Sequence, residues 1–383
     1  MKFSVLLPTR NGGSYLENCI RSILEQNYAD MELIISDNAN TDSTPQIVEM
    51  FVHDPRVKSL RIDRPVSVTD NWNNALRVSS GDYILMMGDD DYMLPRCLER
   101  IEEILERNKH PDCIVYNAYS YVAPDSINGN RQSFYSDNHF RFGPDLRVER
   151  RIEQDQRLQI VRDMFRFKVG IPLNMQTVLV GRKAADRIRG GLFQAPFPDH
   201  YALNSLLLIA DRWVFSPEKL LVVGLSPKSF GHYVYSNQQS GGLAYLGIKD
   251  DFDGRLPGNV LLNGMHVWLN LLKQNYSELL QGVAVDRAGY VRRQVYSWFL
   301  QLRLGTLTVR EFLHNFSLLS PSDWGGLLAS IVDRESWKRL WLMLASWDKS
   351  DAEAQWRSLQ LLDEVADIRQ FAQWLTHRGA VEL

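Results

Sequence analysis

An α/β fold on a mostly parallel sheet flanked by helices, followed by an all-helical region, is what the sequence predicts, and three features predict it. Short β-branched and leucine runs alternate with stretches of helical periodicity through the first hundred residues. Polar turns rich in Asp, Asn and Thr follow those apolar runs. From about Arg255 the strand pattern ends and helical periodicity takes over.

The elements follow in order. FSVLLPT, residues 3 to 9, reads as the first strand. A helix from Ser14 comes next, with Ser14 and Glu17 at capping-box spacing and Leu16, Cys19, Ile20, Ile23 and Leu24 on one face. ELIIS, residues 32 to 36, is the second strand, ending at Asp37 and the turn Asn38-Ala39-Asn40-Thr41-Asp42; Thr44-Pro45 then starts a helix. VKSLRI (57 to 62) and DYILMM (82 to 87) are strands three and four, with a helix through Trp72, Ala75 and Leu76 between them. Alternation at this spacing implies right-handed crossovers. In such sheets ligands bind beyond the carboxyl ends of the strands. The Thr9-Arg10-Asn11 turn, Asp37 and the triad Asp89-Asp90-Asp91 each close a strand, so all three should converge on one edge.

The triad carries the strongest chemical signal. Three adjacent carboxylates repel one another unless a positive charge sits among them, and hard ions such as Mg2+ or Mn2+ are held by one or two carboxylates plus substrate phosphates. An acidic turn can also be no more than a solvated helix N-terminus.

PTRN-x(4)-L-x(2)-C-I-x-S-I-L-x-Q, ELIISDNANTDST and GDYILMMGDDDYMLP together resemble the N-terminal half of the family 2 glycosyltransferases of GT-A fold. That resemblance implies inverting transfer from a nucleotide-activated sugar. It places Pro8, Thr9, Arg10, Asn11, Asp37, Asn40, Asn71, Asn74, Asp89 and Asp90 at the donor, with Asp37 on the nucleobase, and Asp89, Asp90 and Asp91 at a divalent cation, Mn2+ or Mg2+. The family's metal motif is Asp-x-Asp followed by another Asp and, four residues later, Pro. Aligned on Pro95, its first acid is Gly88 here, so Asp90 is the firmest ligand, and Asp89 and Asp91 share the rest. Farther on, Asp199 in the Pro-Asp-His turn ahead of an apolar helix lies where the family has its general base; the plainer reading is a helix N-cap.

The implied function is sugar transfer from a nucleoside diphosphate donor, UDP-sugar favoured, to a hydroxyl on a saccharide or lipid-linked acceptor in polysaccharide or glycoconjugate synthesis. The alternative is a non-catalytic scaffold whose helical region binds a partner, which Gly88 keeps open. A nucleotidyltransferase is disfavoured, because Asn11-Gly12-Gly13 is too short a loop to cradle a triphosphate.

Composition sets outer limits. The chain has 383 residues, enough for two domains, expected at 1–250 (catalytic) and 251–383 (helical). A net charge of -3 argues against nucleic acid as a partner. Cys19, Cys97 and Cys113 have no metal-ligand spacing and suit burial in a reducing compartment. With no signal pattern and no apolar run near ~18 residues, a cytoplasmic protein without a transmembrane span is expected, at most peripheral to the inner face of the membrane.

CIVY (113 to 116) is a further strand, and the polar section after it, with Asn128-Gly129, suggests a hairpin. Arg141, Arg147, Arg150 and Arg151 are expected to pair with Asp145, Glu149 and Glu153 on a solvated face. A helix spans about Leu158 to Phe167, and strands around 213–215 and 220–223 lead into SPKSFGHYVYSNQQSGG, a candidate flap over the nucleotide containing His232. HVWLNLLKQ, YVRRQVYSWFLQLRL, ESWKRLWLMLASW and AEAQWRSLQLLDEVADIRQFAQWL are read as helices. Trp298, Trp324, Trp337, Trp341, Trp347 and Trp356 are assigned to their packing; Trp337 and Trp341, beside Lys338 and Arg339, also suit a bilayer or a second subunit.

Overall fold

The computed structural model describes residues 1–126, 131–138, 147–168, 173–229, 252–330 and 359–381. Strands β1 (Phe3–Thr9), β2 (Met31–Asn38), β3 (Val57–Ile62) and β4 (Tyr83–Met86) form a parallel set in the order β4-β1-β2-β3. Helices α1 (Gly13–Leu24), α2 (Thr44–Glu49) and α3 (Val68–Arg77) connect them. β1 and β2 are apolar on both faces because helices cover the sheet on each side. Their register pairs Thr9 with Asp37, which brings the two turns to one edge.

The sheet continues through β5 (Tyr92–Met93), β6 (Cys113–Val122), β7 (Ser133–Asn138), β8 (Arg150–Ile152), β9 (Val178–Gly181), β10 (Trp213–Leu225) and β11 (Gln360–Leu362). β9 inserts antiparallel between β4 and β6. β10 runs parallel to β6 as one strand, irregular between Phe215 and Leu221, where two were expected. The hairpin excursion exists as β6-β7; Asn128-Gly129, Arg141 and Asp145 lie outside the described residues. Arg151 meets Glu153 at 3.7 Å, whereas Glu149 pairs with Arg107 of α4 (Cys97–Arg107) at 2.8 Å.

The capping box expected at Ser14 does not form. α1 begins at Gly13, its first N–H donates to Thr44 Oγ1 of α2 at 3.0 Å, and Glu17 instead binds Arg21 one turn on. A partner from the next helix thus replaces the local cap.

Glu32 is the main buried charge of the parallel set, with a side chain 3% exposed. Its Oε1 accepts from Ser4 Oγ and Ser80 N, and its Oε2 from Lys58 and Lys2 at 2.7 and 2.9 Å. Burial alone would raise its pKa, but Lys58, Lys2, Ser4 and Ser80 together hold it well below the usual carboxylate range. A carboxyl depressed in the folded state adds stability above its unfolded pKa of about 4.3, and that stability is lost as pH falls through the folded value. Glu32→Gln is therefore expected to cost roughly 1.5–3 kcal/mol at pH 7 and less at pH 3. Urea melts at the two pH values check this; equal costs at both would refute it.

Further helices are α5 (Gln154–Phe165), α6 (Arg182–Ala185), α7 (Pro198–Ile209), α8 (Val260–Asn275), α9 (Arg287–Leu304), α10 (Val309–Ser317), α11 (Pro321–Ser330) and α12 (Ile368–His377). α7 is buried along almost its whole length. Its C-terminal carbonyls are satisfied by the buried guanidinium of Arg157 on α5, which donates to Leu207 O at 3.2 Å and to Ala210 O.

Among the described residues, the helices after residue 251 share the core of the sheet rather than enclosing one of their own. Trp268, Leu269, Leu272, Tyr276, Tyr290 and Trp298 belong to the same buried cluster as Leu6, Ile84, Val115 and Phe215 of the sheet. Asp286 N donates to Phe165 O at 2.9 Å, which fixes the start of α9 to the end of α5. The last segment returns to the sheet: β11 pairs antiparallel with β7, and α12 packs Phe371 and Leu375 on Tyr92, Tyr119, Tyr121 and Val222. One helix through 359–375 is therefore replaced by a strand, a turn with Glu364 at φ 61°, and a helix capped by Asp367. The reason is tertiary, since the free edge of β7 takes Gln360 to Leu362 as a partner. Trp298 is fully buried and Trp324 is 43% exposed; Trp337, Lys338, Arg339, Trp341, Trp347 and Trp356 lie outside the described residues. Among the described residues no helix is long and apolar enough to cross a membrane.

Candidate donor site at the strand ends

The strand-end turns meet as expected. Thr9, the last residue of β1, donates its hydroxyl to Asp89 Oδ2 at 2.7 Å. Gly12 presses on the same pair, since a Cβ there would stand 2.6 Å from Asp89 Oδ2 and 2.7 Å from Thr9 Oγ1. Asn11 adopts φ 56°, a left-handed conformation that Asn tolerates. Its N–H donates to Asn40 Oδ1 and its Oδ1 accepts from Thr41 N at 2.9 Å, so the two turns are laced together. Asp37 is buried and accepts from Asn40 N at 2.8 Å, leaving Oδ2 without a partner among the described hydrogen bonds. Pro8 lies within β1, and Arg10 donates to Asn38 O at 3.1 Å.

Asn71 and Asn74 sit on α3, next to the end of β2. Both hydrogen-bond Ser36 Oγ, Asn71 Oδ1 accepting at 2.7 Å and Asn74 Nδ2 donating at 2.9 Å. These bonds anchor α3 beneath the Asp37 turn.

The three acids separate by environment. Asp91 is 1% exposed, and both its oxygens are engaged by backbone: Oδ2 accepts from Gly88 N at 2.6 Å and Oδ1 from Gly224 N at 2.9 Å. It holds the turn together. Asp89 and Asp90 remain partly accessible. Asp90 Oδ2 accepts from Ser226 N at 3.2 Å and from Ser229 Oγ. Gly224 lets β10 pass against this turn, because a Cβ there would collide with the Asp90 carbonyl oxygen. Burial and the neighbouring Asp90 charge push the Asp89 carboxyl up to about 7, against the pull of Thr9 and Lys228. Burial raises Asp90 as well, and Ser229 and Ser226 oppose it. Two neighbouring carboxylates that resist full ionisation suit a cation, which would stabilise their charged forms.

Among the described residues no group of three or more His, Cys, Asp or Glu side chains converges as a metal centre. The donor set that fits a hard divalent ion is smaller: the oxygens of Asp89 and Asp90 not already hydrogen-bonded, completed by phosphate oxygens. Gly88 also has a steric reason. A Cβ there would stand 3.0 Å from Asp91 Oδ2 and 3.2 Å from Asp90 Oδ1, so the turn closes tightly where the family pattern has an acid.

Asp199 lies apart from this hydrogen-bonded set. It occupies the first turn of α7 but does not cap it, because the N-cap is Phe197. Its Oδ2 is 3.3 Å from His200 Nε2. His200 is buried between Phe197 and Trp268, which lowers its pKa, and its Nδ1 has no hydrogen-bond partner among the described residues. The approach to α7 is tied to α3 through Asn73 Nδ2 to Phe193 O at 3.1 Å and the edge contact of Trp72 with Phe193. His232 lies outside the described residues.

Ser226, Lys228 and Ser229 open the segment read from sequence as a candidate flap over the nucleotide, without being named individually; Gly12 was read only as part of a loop too short for a triphosphate, and Gly224 was not read.

Residues 4–175 match the family model described as glycosyl transferase family 2. Glycosyltransferase GlyG of Streptococcus pneumoniae serotype 4 is 30% identical over 128 residues, 33% of this chain and 41% of that protein. A Campylobacter jejuni protein, GalNAc(5)-diNAcBac-PP-undecaprenol beta-1,3-glucosyltransferase, is 34% identical over 102 residues, 26% of this chain and 33% of that one. The chain thus spans less than half the length of these relatives. Staphylococcus aureus TarS 1-349, crystallised with UDP-GlcNAc, superimposes with a TM-score of 0.52 over 99% of this chain and 92% of that one at 14% identity, a likeness of fold. The fold is of GT-A type, and residues 4–175, which carry the Thr9, Asp37 and Asp89–Asp91 turns of the site, match glycosyl transferase family 2.

Proposed function

We propose that the chain transfers a sugar from a nucleoside diphosphate donor to a hydroxyl group, with inversion. The observation that carries this reading is the pair Asp89 and Asp90, held open at the strand ends by Thr9 and the 224–229 segment beside the laced Asn11 and Asp37 turns. Asp37 accepts an N–H of the nucleobase. Uracil and thymine present such a group, and UDP is the first choice because TarS, alike in fold, was crystallised with UDP-GlcNAc. Asp89 and Asp90 hold a divalent cation, Mn2+ or Mg2+, with Asp91 bracing their turn. When bound, the cation supplies Lewis-acid neutralisation of the diphosphate leaving group. Asp199 takes the proton of the acceptor hydroxyl as it attacks the anomeric carbon. A saccharide or lipid-linked acceptor and a role in polysaccharide or glycoconjugate synthesis fit this chemistry, as does a cytoplasmic site at the inner membrane face. No observation favours the scaffold alternative, since Asp89 stands beside the missing acid.

Calorimetric titration tests the reading. Wild type should bind UDP more tightly with Mn2+ than with chelator, and Asp90→Ala should lose that difference. Asp37→Ala should weaken UDP and uridine alike by roughly 1–3 kcal/mol. Equal UDP affinity in all metal and chelator combinations would remove the cation from the account.

A further inference from the structure

The turn Ser226-Pro227-Lys228-Ser229 is fastened at its root to Asp90 and extends Lys228 to the opposite wall. Ser229 N donates to Ser226 O at 3.0 Å, Ser226 N to Ser229 Oγ at 2.8 Å, and both serines bind Asp90 Oδ2. The backbone of Lys228 is thereby fixed to the acid turn. Its ammonium reaches across to the other strand ends, donating to Asn11 O at 2.8 Å and lying 3.5 Å from Asp42 Oδ2. The side chain is 53% exposed.

We propose that Lys228 is a donor-binding residue that grips the diphosphate of the nucleotide sugar, leaving Asp42 to do so. This rests on the reading of the strand ends as a nucleoside diphosphate site. The argument is one of charge and cost. Asp89, Asp90 and a bound diphosphate together carry more negative charge than one divalent ion neutralises, and the excess grows as the diphosphate departs. A further positive group is needed where the phosphates lie. Lys228 bridges the acid turn and the Asn11 turn, so its ammonium lies beside the acids that would hold the diphosphate. The contact to be surrendered is the half-exposed 3.5 Å pair with Asp42, a weak one, while the 2.8 Å bond to Asn11 O can be kept because an ammonium has three donors. A charge-assisted bond to phosphate gains more than that. The four-carbon stem can swing the ammonium while the serines keep its root in place.

Titration of UDP and uridine, both with Mn2+, into wild type, Lys228→Gln and Lys228→Arg decides the matter. Lys228→Gln should weaken UDP roughly 10–100-fold and leave uridine within about twofold, while Lys228→Arg should recover most of the UDP affinity. Unchanged UDP affinity overturns the proposal. So does an equal loss for UDP and uridine, which would make Lys228 only a brace for the Asn11 turn. Failure of the donor reading shows separately, in wild type alone, as no binding of UDP, dTDP or GDP with Mn2+, and the role of Lys228 falls with it.

Discussion

Asp199→Asn is expected to lower sugar transfer by roughly 10²–10⁴-fold, the loss that follows removal of a positioned base, while UDP affinity hardly changes. Inverting transfer needs a carboxylate near the anomeric carbon that is not occupied by a cation. Asp199 is the proposed base: it is partly exposed, it is not used to cap α7, and its described contact is with His200. Asparagine keeps its size and removes its basicity. Asp211→Asn is the control, since that acid lies two residues beyond the far end of α7 in an exposed pair with Arg187 at 3.0 Å, and it should be silent. Initial rates with the true acceptor, beside UDP titration of each variant, make the comparison. A wild-type rate for Asp199→Asn would assign the base to another residue.

A chain ending at Gly247 should fail to fold. Division into a donor domain before residue 250 and a helical domain after it would leave such a fragment intact, but the packing argues otherwise. α8 lies directly on the residues that present Asp199: a Cβ at Gly264 would collide with the ring of Phe197, and Trp268 meets the edge of His200. Removing the later helices uncovers sheet and α7 side chains packed against Trp268, Leu269, Leu272, Tyr276, Tyr290 and Trp298. Burial of each large apolar side chain contributes about 1.5–3 kcal/mol, so uncovering several of them costs as much as the roughly 5–15 kcal/mol by which a domain is stable. The truncated chain should lack a cooperative thermal transition and precipitate or bind ANS. A sharp transition with nucleotide binding retained would restore the two-domain division.

The parallel half of the sheet was legible because its information is local. β1, β2, β3 and β4 alternate with helices, and each ends in a polar turn, so the meeting of Thr9, Asn11, Asp37 and Asp89 followed from topology. β9 and β11 were not legible. Each is a short strand whose pairing energy comes from a remote edge, β4 and β6 for one and β7 for the other. The same holds for α1, where Ser14 and Glu17 matched a capping box but Thr44 offered the first N–H a better partner. α10 is the reverse case. Thr308 and Glu311 do form the reciprocal cap their spacing allows, a signal that could have been read.

In the site, sequence alone determined that acids, turns and strand ends would converge, because strand direction and residue type are written in the chain. It could not tell the three adjacent aspartates apart. Only the tertiary structure did, by sending the Gly88 and Gly224 amides to Asp91 and the 226–229 turn to Asp90, with Thr9 left to Asp89. The physical reason is that a carboxylate's role depends on which donors reach it and how much water it keeps. Several of those donors, Gly224 of β10 and Ser226 and Ser229 just after it, lie more than 130 residues away along the chain.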